Sequence, residues 1–265
     1  MILELKKKPS PNLGLIDINV KIGLSAYGSE HSAQQCLQEM DQFRIQKSIV
    51  SCFTPPDLSF ENGNRTIEQF VLDNPSRFYG AVRIDPRFRG SKKLLRNFLR
   101  KRSFICVSLN PFEQAFKIGD PLVKDTLEIA EEFDVPVMVE SGFPIVSLPL
   151  QVAEVAKEFK KVRFIMSHSG QLLASGQTES DALNTLLENR NVYSDTSLII
   201  LSGLGGFVEQ VVRANENDSR TRLMFGSDSP MGNISVELLR IDKANIREEE
   251  RRLIFSENAR KLFRI

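Results

Sequence analysis

The sequence predicts an α/β fold of the (β/α)8 TIM-barrel type, in which eight parallel strands alternate with helices. Short apolar runs rich in β-branched residues recur along the chain, and such runs are typical of parallel strands covered on both faces. Amphipathic patterns separate the runs, and repeated strand–helix units with right-handed crossovers favour a closed barrel. An open, doubly wound parallel sheet is the alternative architecture.

The predicted strands begin with "GLIDINV" and end with "TRLMFGS". Together they span residues 14–20, 47–53, 78–84, 104–110, 135–141, 162–168, 191–197 and 221–227. Polar and charged segments of helical length lie between them, as the alternation of a barrel requires.

The helical patterns support this alternation. In "SAQQCLQEMDQF", four apolar residues share one helical face: Cys36, Leu37, Met40 and Phe43. In "DPLVKDTLEIAEEFD", Asp120 and Pro121 are typical of an N-cap and a first helical position. The C-terminal segment carries charges of both signs, and its apolar positions predict a helix packed on the barrel: Leu253, Ile254, Leu262 and Phe263.

Composition excludes several classes of protein. The 265 residues, 41% of them hydrophobic, suffice for one barrel, so we expect residues 1–265 to form a single domain. With 35 basic and 34 acidic residues, a net charge of +1 gives no long-range attraction to nucleic acid or to a membrane. No apolar run approaches the roughly 18 residues of a membrane span. The N-terminal segment lacks the order of a secretory signal, so we expect a cytoplasmic protein.

The three cysteines predict neither disulfides nor a zinc site. Cys36, Cys52 and Cys106 are odd in number and widely spaced. Cys52 and Cys106 lie within apolar runs, which favours buried, unreactive thiols over reactive ones.

Polar residues at the ends of the predicted strands are the candidate functional residues, because the active sites of TIM barrels gather at the carboxyl ends of the strands. The first strand ends with Asn19 and Lys21, and the fourth with Ser108 and Asn110. The fifth, sixth and eighth contribute three ionisable residues: Glu140, His168 and Asp228. For each of these three residues, the alternative to a functional role is a structural hydrogen bond. His31, the other histidine, precedes a helix and is expected at the surface or as a cap.

Several segments together resemble the amidohydrolase-related family, the branch of the amidohydrolase superfamily that includes aminocarboxymuconate-semialdehyde decarboxylase. "LIDINVKIG" resembles an opening strand in which Asp-x-His-x-His-x-Gly is usual. "NPSRFYGAVRIDPR" is similar to the third-strand segment, and "VPVMVESG", "VRFIMSHSG" and "RLMFGSDSP" to the fifth, sixth and eighth strands. "FSENARKLFRI" is similar to the closing helix. The resemblance covers nearly the whole chain.

The resemblance implies a divalent metal, commonly zinc, held by two first-strand histidines, a fifth-strand histidine and an eighth-strand aspartate. In this sequence those positions carry Asn19, Lys21, Glu140 and Asp228, and the sixth-strand histidine is His168. Lys21 offers hydrogen-bond donors only, and its charge about 4 Å from a divalent ion would repel it by about 8 kcal/mol at an effective dielectric of about 20. We therefore expect the zinc site of the family to be weak or absent in this chain.

Two alternatives remain for the cofactor. One is a single divalent metal, zinc or manganese, held by Glu140, His168 and Asp228, with an oxygen-rich set favouring manganese. The other is no metal, with the Lys21 ammonium at the metal position between Glu140 and Asp228. That paired network is either purely structural or part of a metal-free site.

The resemblance implies a small-molecule enzyme that hydrolyses a C–N, ester or lactone bond, with decarboxylation as an allied reaction. His168, Asp228 and Lys21 are the expected catalytic residues, and His168 would deprotonate water. The expected substrate-binding residues are Asn19, Glu140, Ser108 and Asn110. The alternative is a non-catalytic descendant that binds a ligand or protein partner through the same mouth. Whether the chain forms a homo-oligomer stays open.

Overall fold

The strands of the structure follow the predicted apolar runs. The structure, a computed structural model, describes residues 14–171, 176–199, 205–214 and 222–265. The N-terminal segment on which the predicted location rests lies outside these ranges. Within them, nine strands are formed: β1 (Leu15–Leu24), β2 (Glu30–His31), β3 (Ile45–Cys52), β4 (Phe78–Arg83), β5 (Phe104–Leu109), β6 (Val137–Val139), β7 (Phe164–Met166), β8 (Val192–Asp195) and β9 (Leu223–Met224).

The sheet closes into a barrel. Its hydrogen-bonded order is β2-β1-β3-β4-β5-β6-β7-β8-β9; β2 pairs antiparallel to β1, and the other pairs are parallel. Backbone hydrogen bonds then join β1 to the segment that follows β9: Ile18 N–H to Phe225 O at 3.1 Å, Lys21 N–H to Ser229 O at 2.9 Å and Asp228 N–H to Asn19 O at 2.8 Å. The predicted TIM barrel is confirmed, and the open sheet is wrong.

The helices surround the sheet. They are α1 (Ala33–Phe43), α2 (Phe60–Asp73), α3 (Ser91–Leu99), α4 (Lys124–Glu132), α5 (Pro149–Glu158), α6 (Gly176–Glu188), α7 (Gly206–Ala214), α8 (Ile234–Lys243), α9 (Glu248–Arg252) and α10 (Asn258–Phe263). Within the described ranges, the helices include no candidate membrane span.

Two apolar layers hold the barrel together. The larger layer lies between the sheet and the helices. The smaller one fills the barrel interior with residues from seven strands and closes it with α10: Ile16, Ile18, Ile49, Ala81, Cys106, Met138, Ile165, Met224, Ala259 and Leu262. All three cysteines are free and buried, which confirms the burial predicted for Cys52 and Cys106, and burial raises the pKa of the Cys52 thiol to about 11.

An irregularity in β1 positions the site. The pairing of β1 with β3 shifts register between Asp17 and Val20. Ile16 before the shift and Ile18 within it belong to the interior layer, whereas Val20 after it packs against the helices. Because side chains alternate along a strand, the shift turns Asn19 and Lys21 to the interior side, at the carboxyl end of the barrel.

Two local features differ from the predictions. The first strand continues into a hairpin with β2, which buries His31, and Nδ1 of its ring lies 2.8 Å from Lys21 O. The expectation of a surface or capping histidine is wrong, and Ser32 caps α1 instead. Before α4, Asp120 and Pro121 take the predicted N-cap and first positions, but of a short 3-10 helix, and the Asp120 carboxylate accepts from Lys117 N–H without making a capping hydrogen bond.

Candidate active site

The carboxyl ends of the barrel strands surround a cavity of about 680 Å3. Its lining combines charged groups with aromatic and apolar side chains, as small-molecule sites do. The lining residues are Lys21, Ser25, Tyr27, Ser29, Phe53, Arg83, Asn110, Phe112, Glu113, Glu140, Phe143, Leu198, Asp228 and Met231. A second cavity, of about 800 Å3 beside α2 and α3, shares none of these residues.

Lys21 places a buried ammonium at the base of the mouth cavity. Its Nζ donates to Glu140 Oε1 at 2.6 Å and to Asn19 Oδ1 at 3.0 Å, and it lies 3.9 Å from Asp228 Oδ1. The residue is only 6% exposed, so the charge depends on these partners for compensation. Lys21 is therefore the cation around which the polar groups of the site are arranged.

His168 lies behind Glu140, away from the cavity. Its Nε2 is 2.5 Å from Glu140 Oε2, and its Nδ1 is 3.0 Å from Ser197 Oγ. Ser197 Oγ donates in turn to Asp195 Oδ1 at 2.7 Å, which also accepts from the His168 backbone N–H. His168 has a left-handed backbone, with φ of 59°. This chain of hydrogen bonds fixes both the ring and its strained backbone.

Asp228 lines the cavity, and one oxygen of its carboxylate has no hydrogen-bond partner among the described residues. Its backbone is also left-handed, with φ of 53°, and is held by the hydrogen bond to Asn19 O. Among the described residues, nothing donates a hydrogen bond to its buried Oδ1. Because an unpaired buried acceptor is costly, this oxygen is suited to contact a bound molecule.

The protonation states follow from burial and neighbouring charges. Burial disfavours charge on Lys21 and on Glu140, but their mutual attraction outweighs it, raising the pKa of Lys21 and holding that of Glu140 well below its usual range. Burial also disfavours a charged His168, yet Glu140 overcomes this and raises the pKa of the ring to about 9. Burial and the Glu140 charge raise the pKa of Asp228 to about 7. At neutral pH, Lys21 and His168 are therefore cations and Glu140 is an anion. The pKa of Asp228 lies close to neutral pH, so both its protonated and its ionised forms are present.

A divalent ion fits this arrangement poorly. Glu140, His168 and Asp228 could hold one ion, since one ligand atom from each lies within 4.8 Å of the others. However, Glu140 already pairs with both His168 and the Lys21 ammonium, and a protonated imidazole has no lone pair for a metal. Loading an ion would require Lys21 to leave and His168 to lose a proton. In this arrangement the Lys21 ammonium lies beside two of the three candidate ligands, 2.6 Å from Glu140 and 3.9 Å from Asp228.

The structure brings four of the predicted site residues into one cluster: Lys21, Glu140, His168 and Asp228. Asn19 lies beneath Lys21, donating to Asp195 Oδ2 at 3.1 Å. Asn110 lines the cavity, whereas Ser108 is buried within β5 and does not line it.

Other residues of the mouth cavity were not predicted. Phe112 and Phe143 stack at its wall with ring centroids 4.3 Å apart. Arg83, at the end of β4, and Glu113, in the turn after β5, form an ion pair there. A charged residue inside the apolar run "FYGAVRI" was the available signal for Arg83; no sequence pattern distinguishes Glu113.

Solved structures share this fold. A 5-carboxyvanillate decarboxylase from Sphingomonas paucimobilis matches with a TM-score of 0.72 at 13% identity, over 96% of this chain and 100% of that one. A dihydroxybenzoic acid decarboxylase from Polaromonas sp. JS666, with bound manganese and the inhibitor 2-nitroresorcinol, matches at 0.71 and 15% identity, over 95% and 97%. A TIM-barrel protein from Bordetella bronchiseptica matches at 0.75 and 16% identity, over 94% and 97%. At these identities the likeness is one of fold.

The family is shown by sequence. No curated protein matches the chain. The model of the amidohydrolase family matches residues 51–265, which is most of the chain. This match confirms the resemblance, and none of the comparisons supports the non-catalytic alternative. The chain belongs to the amidohydrolase family.

Proposed function

We propose that the chain is an enzyme that decarboxylates a small aromatic acid in the mouth cavity, using proton transfer by Asp228 and a fixed ammonium in place of a metal ion. The observation that carries this proposal is the unpaired Asp228 Oδ1, which lies 3.9 Å from Lys21 Nζ at the wall of the cavity. An acid–base group and a cation are thus available to one bound molecule.

The reaction needs a proton donor and a site for negative charge. Protonated Asp228 gives its proton to the ring carbon that bears the carboxylate. The bond between that carbon and the carboxylate then breaks, CO2 leaves, and the bonding electron pair returns to the ring. Solvent restores the proton of Asp228. The Lys21 ammonium holds a negatively charged oxygen of the substrate throughout, and the wall formed by Phe112 and Phe143 suits an aromatic ring.

The sequence-based prediction gave the proton transfer to His168, but that ring is 1% exposed and lies behind Glu140. In this proposal His168 is a positioning residue, which holds Glu140 against Lys21. The fold of two relatives whose names are those of decarboxylases of aromatic acids supports the reaction class.

Release of CO2 from 5-carboxyvanillate and from a dihydroxybenzoate, by the chain treated with EDTA, tests the proposal. We expect turnover without added metal, and a loss of about 100-fold or more in Asp228→Asn, because general acid–base groups contribute about that much. Asp242→Asn removes an exposed carboxylate of α8 and should leave turnover unchanged. Full activity in Asp228→Asn, or activity that appears only with added metal, would contradict the proposal.

Hydrolysis is the second candidate, and the same unpaired oxygen favours it. Ionised Asp228 would take a proton from water, the hydroxide would add to a carbonyl carbon, and Lys21 would stabilise the oxyanion. The leaving group would then receive the proton from Asp228. Acid release from lactones or amides, without CO2, distinguishes this reaction from decarboxylation.

A further inference from the structure

The mouth cavity contains a second buried cation, Arg83, which the proposed reaction does not use. We propose that Arg83 and Thr54 form a carboxylate-binding subsite, occupied by Glu113 in the free protein and by a second carboxylate of the substrate in the complex. This proposal rests on the proposed function in placing a substrate in the cavity. It deepens that function by assigning the substrate to the aromatic dicarboxylates.

The guanidinium of Arg83 is held in one orientation. Its Nη1 donates to Cys52 O at 3.0 Å, and its Nη2 donates to Thr54 Oγ1 at 2.9 Å and to Glu113. The residue is 1% exposed, and its planar group faces the Phe60 ring at 5.4 Å. The guanidinium therefore presents Nη2 in a fixed direction, and a charged donor held in this way forms a strong hydrogen bond with a carboxylate oxygen.

Glu113 shows that the subsite accepts a carboxylate. Its Oε2 receives hydrogen bonds both from Arg83 and, at 2.5 Å, from Thr54 Oγ1. These are the contacts that a ligand carboxylate would make in its place. The chain thus supplies an internal stand-in for the ligand.

Glu113 is also placed to leave. It belongs to the turn after β5 rather than to a strand or helix, and its side chain is 27% exposed, against 2% for Arg83. A carboxylate at the solvent edge becomes fully hydrated when it swings outward, whereas Arg83 would remain buried and need a new partner. Exchange of one carboxylate for another meets that need.

The charges in the cavity favour Arg83 as the recipient of a second anionic group. Lys21 is already paired with Glu140 and lies near Asp228, so much of its charge is compensated by buried groups that cannot swing away. Arg83 is the lining cation whose counter-ion is on a partly exposed turn. A substrate with one carboxylate near Asp228 and another at Arg83 would satisfy both ends.

Binding of two probes to the full chain tests the subsite without requiring turnover. Isophthalate (benzene-1,3-dicarboxylate) and benzoate differ by one carboxylate, and calorimetric titration gives the ratio of their dissociation constants. In Glu113→Gln, which removes the competing charge, the preference for isophthalate should rise by about tenfold, as expected for one charge-assisted contact. Thr54→Val, which is nearly isosteric, should lower that preference by a similar factor and needs no change at Arg83.

Glu154→Gln is the matched control. It removes an exposed carboxylate of α5 and should leave the preference unchanged. Equal gains for both probes in Glu113→Gln, or an unchanged preference in Thr54→Val, would overturn the subsite, as would failure of isophthalate to bind any of these proteins. Changed preference without any turnover would instead overturn the proposed function and leave the subsite standing.

Discussion

At the scale of single residues, Lys21 is the buried cation beside Glu140 and Asp228 in the barrel mouth. A buried ammonium attracts carboxylates as a metal ion would, yet it cannot accept an electron pair and it carries a single charge. The Glu140 carboxylate pairs with the ammonium through Oε1 and with His168 Nε2 through Oε2. A lysine at position 21 can therefore be buried only because Glu140 pairs with it, since each charge would be costly to bury alone.

Protonation of His168 makes the free energy of unfolding depend on pH. The pKa of the ring is 6.5 in its ordinary state and rises to about 9 in the folded chain, because Glu140 overcomes the effect of burial. The stabilisation is complete below pH 6.5 and is lost as the pH rises through about 9. We expect the free energy of unfolding to fall by about 3 kcal/mol more in the wild type than in His168→Gln over this range.

Urea denaturation at several pH values measures the difference. His31, whose pKa is also raised, is present in both proteins, so its contribution cancels in the comparison. Parallel curves for the two proteins would show that folding does not raise the pKa of His168.

At the scale of elements, strand ends and helix contacts place the functional groups. The apolar runs predicted all eight barrel strands, because buried parallel strands need little else to specify them. The short β2 strand and the register shift in β1 were not predictable. Both depend on pairing between segments and not on any local pattern. That shift turns Lys21 toward the mouth, so the position of the central cation follows from tertiary structure.

Asn64 shows how one helix holds the end of a strand. From α2, its Nδ2 donates to Arg83 O at 2.7 Å, and its Oδ1 accepts from Arg83 N–H at 3.0 Å. We expect Asn64→Ala to lower the free energy of unfolding by about 3 kcal/mol, because both backbone groups would be left buried and unpaired. Asn62→Ala, at an exposed position of the same helix, should cost less than about 1 kcal/mol. Equal losses in the two variants, measured by chemical denaturation, would contradict this role.

At the scale of the whole molecule, the barrel carries one polar mouth on an apolar interior. The fold was predictable from the strand–helix rhythm, and the family from short motifs in a fixed order. Lys21, Glu140, His168 and Asp228 were predictable as candidates because each ends an apolar run. Arg83 and Glu113 were not, since their pairing joins β4 to a turn 30 residues later in the chain. The single domain over residues 1–265 stays a prediction. The question of a homo-oligomer also stays open.

The metal content of the purified chain tests the central claim most directly: Lys21 holds the position of a divalent ion. After incubation with zinc or manganese and removal of the excess, elemental analysis should find well under one ion per wild-type chain. The triple variant Asn19→His, Lys21→His and Glu140→His, which restores the ligands usual in the family, should bind zinc and serves as the positive control. One tightly held ion per wild-type chain would contradict the account.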